Sequence, residues 1–460
     1  MGVTEEVARF VTGLQYAQIP REVVGLAKRH MLDGLGVMLA GTVEEGTRLL
    51  QAHLVELGGP QEATVLGSRL RLPVPHAALL NGTSGHAMDY DDTQLSTSKE
   101  SVYGLLTHPT VPVLAAALAL GEKRRCSGQA LLLACVAGVE VECRIADAIH
   151  PRHYQAGFHS TATMGGLGAC AGAAVLLGLD SGRLRTALGI AASLSAGLRE
   201  NFGTMTKPLH AGRAAQHGLV AADLAGRGFT ASSEILEAPR GFFNAMAGGF
   251  DAAKLSGRLG RPFFLVEPGV SIKPYPSGSL SHPAQDVILD LVRTHDLRPE
   301  DVERIEVGTN SNVPNALIHN TPTTALQGKF SIPFCMAIAV LERRAGIAQF
   351  TDDKVRDPRT VALMQRVRLY VHPELERLGY EHVRAIVELT LRDGRTLRGQ
   401  ADVARGHPLK PMTEAELEEK FRECAALVLP EPRAGRVVEQ LRHLETLPDL
   451  SPLLESLRPE

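Results

Sequence analysis

Tryptophan is missing from the 460 residues, and aromatic side chains make up only 4% of them. A core with so few bulky anchors has to be filled by aliphatic and small residues, and 45 glycines among alanine- and leucine-rich stretches supply them. Small residues let backbones approach one another, so closely packed helices are expected. Charge of one sign is equally scarce. The net charge is −3 with no long basic or acidic block, so the chain lacks the basic face that neutralises nucleic-acid phosphates. Local cations remain available for a small anion. The six cysteines, Cys126, Cys135, Cys143, Cys170, Cys335 and Cys424, form no CxxC pair and no zinc-ligand spacing. Several lie in apolar helical patterns, where a free thiol acts as a small hydrophobe, and this points to a reducing, cytoplasmic compartment without disulfides. The longest apolar runs, near 111–121 and 130–139, are too short to cross a bilayer. The opening Met1-Gly-Val-Thr-Glu-Glu-Val has neither the basic nor the apolar region of a signal peptide. Neither a nucleic acid nor a membrane is expected as a partner.

What is present is ordinary globular composition, 44% hydrophobic and 22% charged, in a chain too long for one compact core. Residues 1–262 carry one apolar helical pattern after another, with helices expected at about 111–122, 127–149, 163–177, 184–196 and 212–227. Thr4 followed by Glu5 and Glu6 reads as an N-cap with first-turn acids. The texture changes near Arg261. Residues 302–307 and 367–371 alternate as half-buried strands do, and 385–391, Asp393-Gly394 and 395–400 read as a hairpin. Helical stretches at 331–344 and 352–366 lie between them. Helix returns after 406, where Thr413 and Glu416 form a capping box. The expected fold is mostly α: a large helical domain (1–262), an inserted, lid-like α+β domain (263–405), and C-terminal helices (406–460) that return to the first domain.

The densest polar knot is His86-Ala-Met-Asp89-Tyr90-Asp91-Asp92-Thr93. Three carboxylates in four residues are costly to crowd unless solvated, paired or bound. They suit an acid/base or positioning site; a solvated helix end followed by a loop also explains them, and the residues alone favour that reading. A metal is not expected, since neighbouring residues cannot all point at one ion. His108-Pro109 opens an apolar helix and could face a cleft or merely the surface. Gly157-Phe158-His159-Ser160-Thr161-Ala162-Thr163 offers hydroxyls and backbone N–H groups at a helix start, for an anion or simply for capping. Lys207 stands just before another helix start in Lys207-Pro208-Leu209-His210-Ala211-Gly212. Lys273 lies in Ser271-Ile272-Lys273-Pro274-Tyr275-Pro276, where prolines leave few conformers. Either lysine could also be an exposed residue at a domain joint. No nucleophile elbow, P-loop or HExxH motif occurs, and Gly166-Leu-Gly168 lacks the strand that a dinucleotide site needs.

In order along the chain, Asn81-Gly82, His86 to Thr93, His108-Pro109, Gly157-Phe158-His159, Lys207 to Gly212, Lys273-Pro274-Tyr275-Pro276, Gly328-Lys329-Phe330-Ser331-Ile332-Pro333 and Gly406-His407-Pro408 resemble the MmgE/PrpD family. The likeness spans nearly the whole chain. It implies a homodimer and an enzyme without metal or cofactor, acting on a small polycarboxylate. The family includes 2-methylcitrate dehydratases, cis-aconitate decarboxylases and an iminodisuccinate epimerase, reactions that move a proton or carboxyl group at a carbon beside a carboxylate. A dehydratase-like lyase is the first expectation, an isomerase the second, and a non-catalytic polyacid-binding protein the third. By resemblance to the decarboxylase branch, the site falls on Asp89, Thr93, His108, His159, Lys207 and Lys273. The lysines would bind carboxylates, His159 would move the proton with His108 in support, Asp89 would orient a base, and Thr93 would hydrogen-bond the substrate. That branch has a histidine where this chain has Gly278, and a tyrosine at the position aligned with Phe334.

Overall fold

The computed structural model describes residues 2–98, 100–104 and 106–459. Among the described residues, seven long helices fill the first half: Arg21–Ala40, Val74–Ala87, Thr110–Arg124, Gly128–Ile149, Ser160–Leu177, Ser181–Leu194 and Thr206–Gly226. The Ser160–Leu177 helix is central and lies against the three at 110–124, 128–149 and 206–226. By length and composition it would suit a bilayer, but 89% of it is buried inside the protein. It therefore serves as a core helix, apolar on every side because neighbours surround it.

Glycine sets the spacing of these helices. A Cβ at Gly212 would stand 2.2 Å from the Leu79 carbonyl oxygen, and one at Gly218 would stand 2.4 Å from that of Gly166. Two helix starts lie earlier than the periodicity predicts. One helix begins at Ser160, directly after His159, and another at Thr206, which puts Lys207 and Pro208 inside its first turn. Proline is tolerated there because first-turn N–H groups have no intrahelical partner. Thr4 is not an N-cap; it lies within the Val3–Gly13 helix, and its hydroxyl bonds Glu237.

The second half carries a four-stranded sheet with spatial order Val367–Val371, Val302–Thr309, Ala385–Leu391, Thr396–Ala401. The first pair is parallel and the other two are antiparallel. The His282–Thr294 and Ile332–Glu342 helices pack with it. The helical stretch expected at 352–366 is broken into Asp352–Arg356 and Pro358–Met364, because Pro358 cannot continue the hydrogen-bond ladder. The Thr413–Glu416 capping box is present, and the Glu414–Ala425 helix it opens packs on Arg21–Ala40.

Buried apolar residues form two clusters. One runs through 3–272 and 412–457; the other covers 280–391 and takes in Leu95, Val102 and Tyr103. The chain between them is pinned by short bridges, Thr93 with Ser271 and Gln94 with Thr107. The site described below lies along this seam.

Helix spacing can be tested with two glycines. Gly212→Ala gains helix propensity of about 1 kcal/mol, but the clash at Leu79 should outweigh it and leave a net loss of about 1–3 kcal/mol in urea denaturation. Gly435→Ala, in a helix with nothing within 4 Å of the new methyl, should instead stabilise by about 0.5–1 kcal/mol.

Candidate active site

Three helices begin at one small cavity. His108 precedes the Thr110–Arg124 helix, His159 is the N-cap of Ser160–Leu177, and Lys207 sits in the first turn of Thr206–Gly226. Unpaired backbone N–H groups at such ends favour an anion. Asp89 and Thr93 enter from the turn after Val74–Ala87, and Lys273 from the seam. Asp89, Thr93, His108, His159, Lys207 and Lys273 all line this cavity, whose enclosed space is about 40 Å³. Each is at most 6% exposed. Lys207, Lys273 and His108 are therefore not the surface residues that their sequence contexts also allowed.

The acidic knot is not a solvated helix end either. Asp89, Asp91 and Asp92 are all buried, and each has its own partners. Asp89, held at a left-handed φ of 52°, takes the Lys207 ammonium at 2.5 Å and that of Lys273 at 3.0 Å. Asp91 accepts His86 Nδ1 at 2.8 Å and lies 3.3 Å from His108 Nδ1. Asp92 pairs with His30 Nδ1 at 2.8 Å and accepts the Thr110 hydroxyl. The crowding that looks unfavourable in sequence is relieved because the backbone aims the three side chains in different directions.

Burial alone would raise the Asp89 pKa, but Lys207 and Lys273, helped by His108 and His86, outweigh it and hold the carboxyl well below its ordinary range. Asp91 is likewise held ionised against burial by His108 and His86. Burial lowers Lys273, and Asp89 opposes that shift. His159 is pushed well below its usual value by burial and by Lys207, so it is neutral. Its Nδ1 lies 3.0 Å from His210 Nδ1, and its Nε2 is buried with no hydrogen-bond partner. When Nδ1 donates to His210, Nε2 presents a free lone pair, as a general base requires.

Other contributors lie outside the six candidates. His86 accepts the Lys207 ammonium at Nε2, 2.8 Å away, and so ties the lysine to Asp91. Lys420, from the C-terminal Glu414–Ala425 helix, donates to the carbonyls of Tyr90 (2.8 Å) and Lys273 (2.9 Å) and pairs with Asp33 at 2.5 Å. It thereby fixes the two strands of backbone that carry Asp89 and Lys273. Gly278 lines the cavity, whereas Phe334 does not: it is fully buried and packs on Phe350 with ring centroids 5.4 Å apart. A larger groove of about 730 Å³ lies nearby, and several of its charges pair with each other, Arg405 with Glu416, Lys410 with Asp286 and Arg344 with Glu423. The small cavity is where buried charge and an unpartnered base coincide.

Two clusters have ligand atoms close enough for a metal ion, His86 with His108 and His159, and His86 with Asp89 and Asp91. Both include His86, whose two nitrogens already face Lys207 and Asp91. An ion there would have to displace the Lys207 ammonium.

Comparison with known proteins adds to this geometry. The family model described as the MmgE/PrpD N-terminal domain matches residues 5–254, and that of the MmgE/PrpD C-terminal domain matches 275–445. The chain is 30% identical to the cis-aconitate decarboxylase of Homo sapiens, with 99% of this chain and 94% of that protein aligned. The mouse protein of the same name is 29% identical over 99% of this chain and 93% of its own. That of Aspergillus terreus is 26% identical over 99% and 96%.

The buried imidazoles make a testable acid limit. Burial, the first cause in each case, lowers His86 and His282 to about 3, and His153 and His210 to about 4. In the unfolded chain each titrates near 6.5, so below about pH 6.5 the unfolded state binds protons that the folded state does not, and stability falls as pH drops towards about 4. Burial also raises Asp33, to about 6 against the pull of Lys420, and Glu142 and Asp147, which work in the opposite direction, but His150 and His407, lowered to about 4, join the imidazoles and these outnumber the raised acids. Tm by scanning fluorimetry should therefore drop steadily between about pH 6.5 and 4. A flat Tm across that window would contradict the neutral assignment.

Proposed function

The chain belongs to the MmgE/PrpD family, and on that basis we propose that it is a lyase acting on a small hydroxy-polycarboxylate by proton transfer at a carbon beside a carboxylate. The observation that carries this reading is the meeting of two buried ammonium groups and a neutral histidine with a free Nε2 in one cavity. Lys207 and Lys273 would take substrate carboxylates. His159 Nε2 would remove the proton from the adjacent carbon, and the C–H electron pair would become the new double bond. The hydroxyl on the next carbon would leave as water, taking a proton from His108, which Asp91 orients from 3.3 Å. Negative charge gathering on the carboxylate during proton removal would fall between two fixed ammonium groups, where prepaid orientation lowers the barrier. Thr93, 3.3 Å from His108 Nδ1, would hold the departing hydroxyl. The names of the relatives support lyase chemistry; a decarboxylation would use the same carboxylate clamp but break a C–C bond in place of C–O.

One observation favours a second reading. The His108 and His159 rings stand 6.3 Å apart and both line the cavity, which suits an epimerase that removes a proton on one face and returns one on the other.

Proton NMR in D₂O separates these readings. Citrate, 2-methylcitrate, cis-aconitate, tartrate and iminodisuccinate would be incubated singly with the protein. A vinyl signal that appears or disappears supports the lyase; deuterium uptake or epimer formation alone supports the isomerase. Thermal stabilisation by an acid without any turnover would favour a binding protein. On the acid that is turned over, His159→Ala should lower kcat by about 100-fold or more with a wild-type Tm. Unchanged turnover would remove His159 from its role.

A further inference from the structure

The cavity is lined by two kinds of residue. Asp89, His108, His159, Lys207 and Lys273 are ionisable. Leu106, Phe202, Leu280, Leu317 and Phe330 are apolar, and Lys207 Nζ lies 5.4 Å and 5.5 Å from the ring centroids of Phe202 and Phe330, whereas Leu317 abuts Gly278. Lys207 and Lys273 are the only ammonium or guanidinium groups among the described lining residues, and Asp89 already takes part of their charge.

Gly278 is not there for backbone reasons, since its φ of −56° suits any residue. The space is what excludes a side chain: a Cβ at 278 would stand 2.6 Å from Leu317 Cδ2 and 3.4 Å from the Phe330 ring. Leu317 is itself fixed, 2% exposed, with its N–H bonded to the Val313 carbonyl at 2.8 Å. The Gly278 N–H is spent on the Lys329 carbonyl at 2.8 Å. The Leu280 and Leu317 side chains offer a bound carboxylate neither charge nor donor, and an unpaired buried carboxylate is costly. They offer apolar surface to an alkyl group. The Thr93 and Ser279 hydroxyls, 3.3 Å apart, line the same cavity and are available to a substrate hydroxyl.

Building on the reading of this cavity as the lyase site, we propose that the preferred substrate is a hydroxy-dicarboxylate carrying an alkyl arm. Its two carboxylates go to Lys207 and Lys273, its hydroxyl to Thr93 and Ser279, and its arm to the Leu280 and Leu317 side chains. Leu317 is the residue that selects against a third carboxylate.

The test compares malate, 2-ethylmalate, 3-ethylmalate and citrate, by NMR for turnover and by calorimetry for binding. One ethylmalate should be processed with a kcat/KM at least tenfold above both malate and citrate. Leu317→Ala should cut the advantage over malate at least fivefold, and Leu317→Lys should shift the preference towards citrate. Because a lysine at this buried position could prevent folding, the alanine variant decides if the lysine variant is insoluble. Citrate processed better than either ethylmalate, or malate processed equally well, would overturn the proposal. If none of the four is turned over, the lyase reading is decided by the wider panel above, and the binding order still decides this one. Tighter binding of an ethylmalate upholds the apolar subsite; tighter citrate, or no binding by any of the four, overturns it.

Discussion

Two ammonium groups converge on a single carboxylate in a place almost without water. Lys207 and Lys273 each approach Asp89, and all three are nearly fully buried. Removing three charges from water carries a large cost, repaid only when geometry is good and remaining donors find acceptors. Here Lys207 also donates to His86, and Lys273 donates to the carbonyls of Asp89 and Ser277. The trio still holds one more positive charge than negative. Such an excess in a low-dielectric cavity is a standing preference for an anion, and it sets the electrostatic character of everything around it. His159 stays neutral partly because Lys207 is close, so the same charge that draws in a carboxylate also keeps the base free of its proton.

Holding these groups in register takes residues from the whole chain. The turn carrying Asp89 follows one helix, Lys207 begins another, and Lys273 lies in the seam between two apolar cores. Lys420 closes the arrangement from the C-terminal helix by bonding the backbone at Tyr90 and Lys273 at once. The glycines that let the Val74–Ala87 and Thr206–Gly226 helices touch serve the same end, since those helices deliver Asp89 and Lys207 to each other. A misplacement of about 1 Å at such a site is enough to cost two orders of magnitude in rate.

Much of this was legible in the sequence. The change of texture near Arg261, the Asp393-Gly394 hairpin and the Thr413–Glu416 capping box rest on local chemistry, and local chemistry also decides them in the fold. Helix starts were harder: Pro208 reads as a boundary although a first turn accepts it. The six candidate residues could be picked by their place in short motifs, but their surroundings could not. The acidic knot reads as solvated because Lys207, Lys273 and His30 are folded onto it from elsewhere. Lys420 had no signal at all. It lies in an acidic, amphipathic helix as an ordinary surface lysine would, and its contact with Lys273 spans 147 residues. Leu317 escapes for the same reason, since only the folded chain places it against Gly278.

The account depends on carboxylates binding at the two lysines with the alkyl side of the ligand facing Leu317. A crystal structure of the protein with ethylsuccinate, an unreactive dicarboxylate bearing an alkyl arm, tests this directly. The expected result is one carboxylate within hydrogen-bond distance of Lys207, the other within reach of Lys273, and the ethyl group against Leu317 with His159 Nε2 facing the carbon chain. A carboxylate lodged against Leu317, or binding only in the larger groove near Arg405, would contradict it.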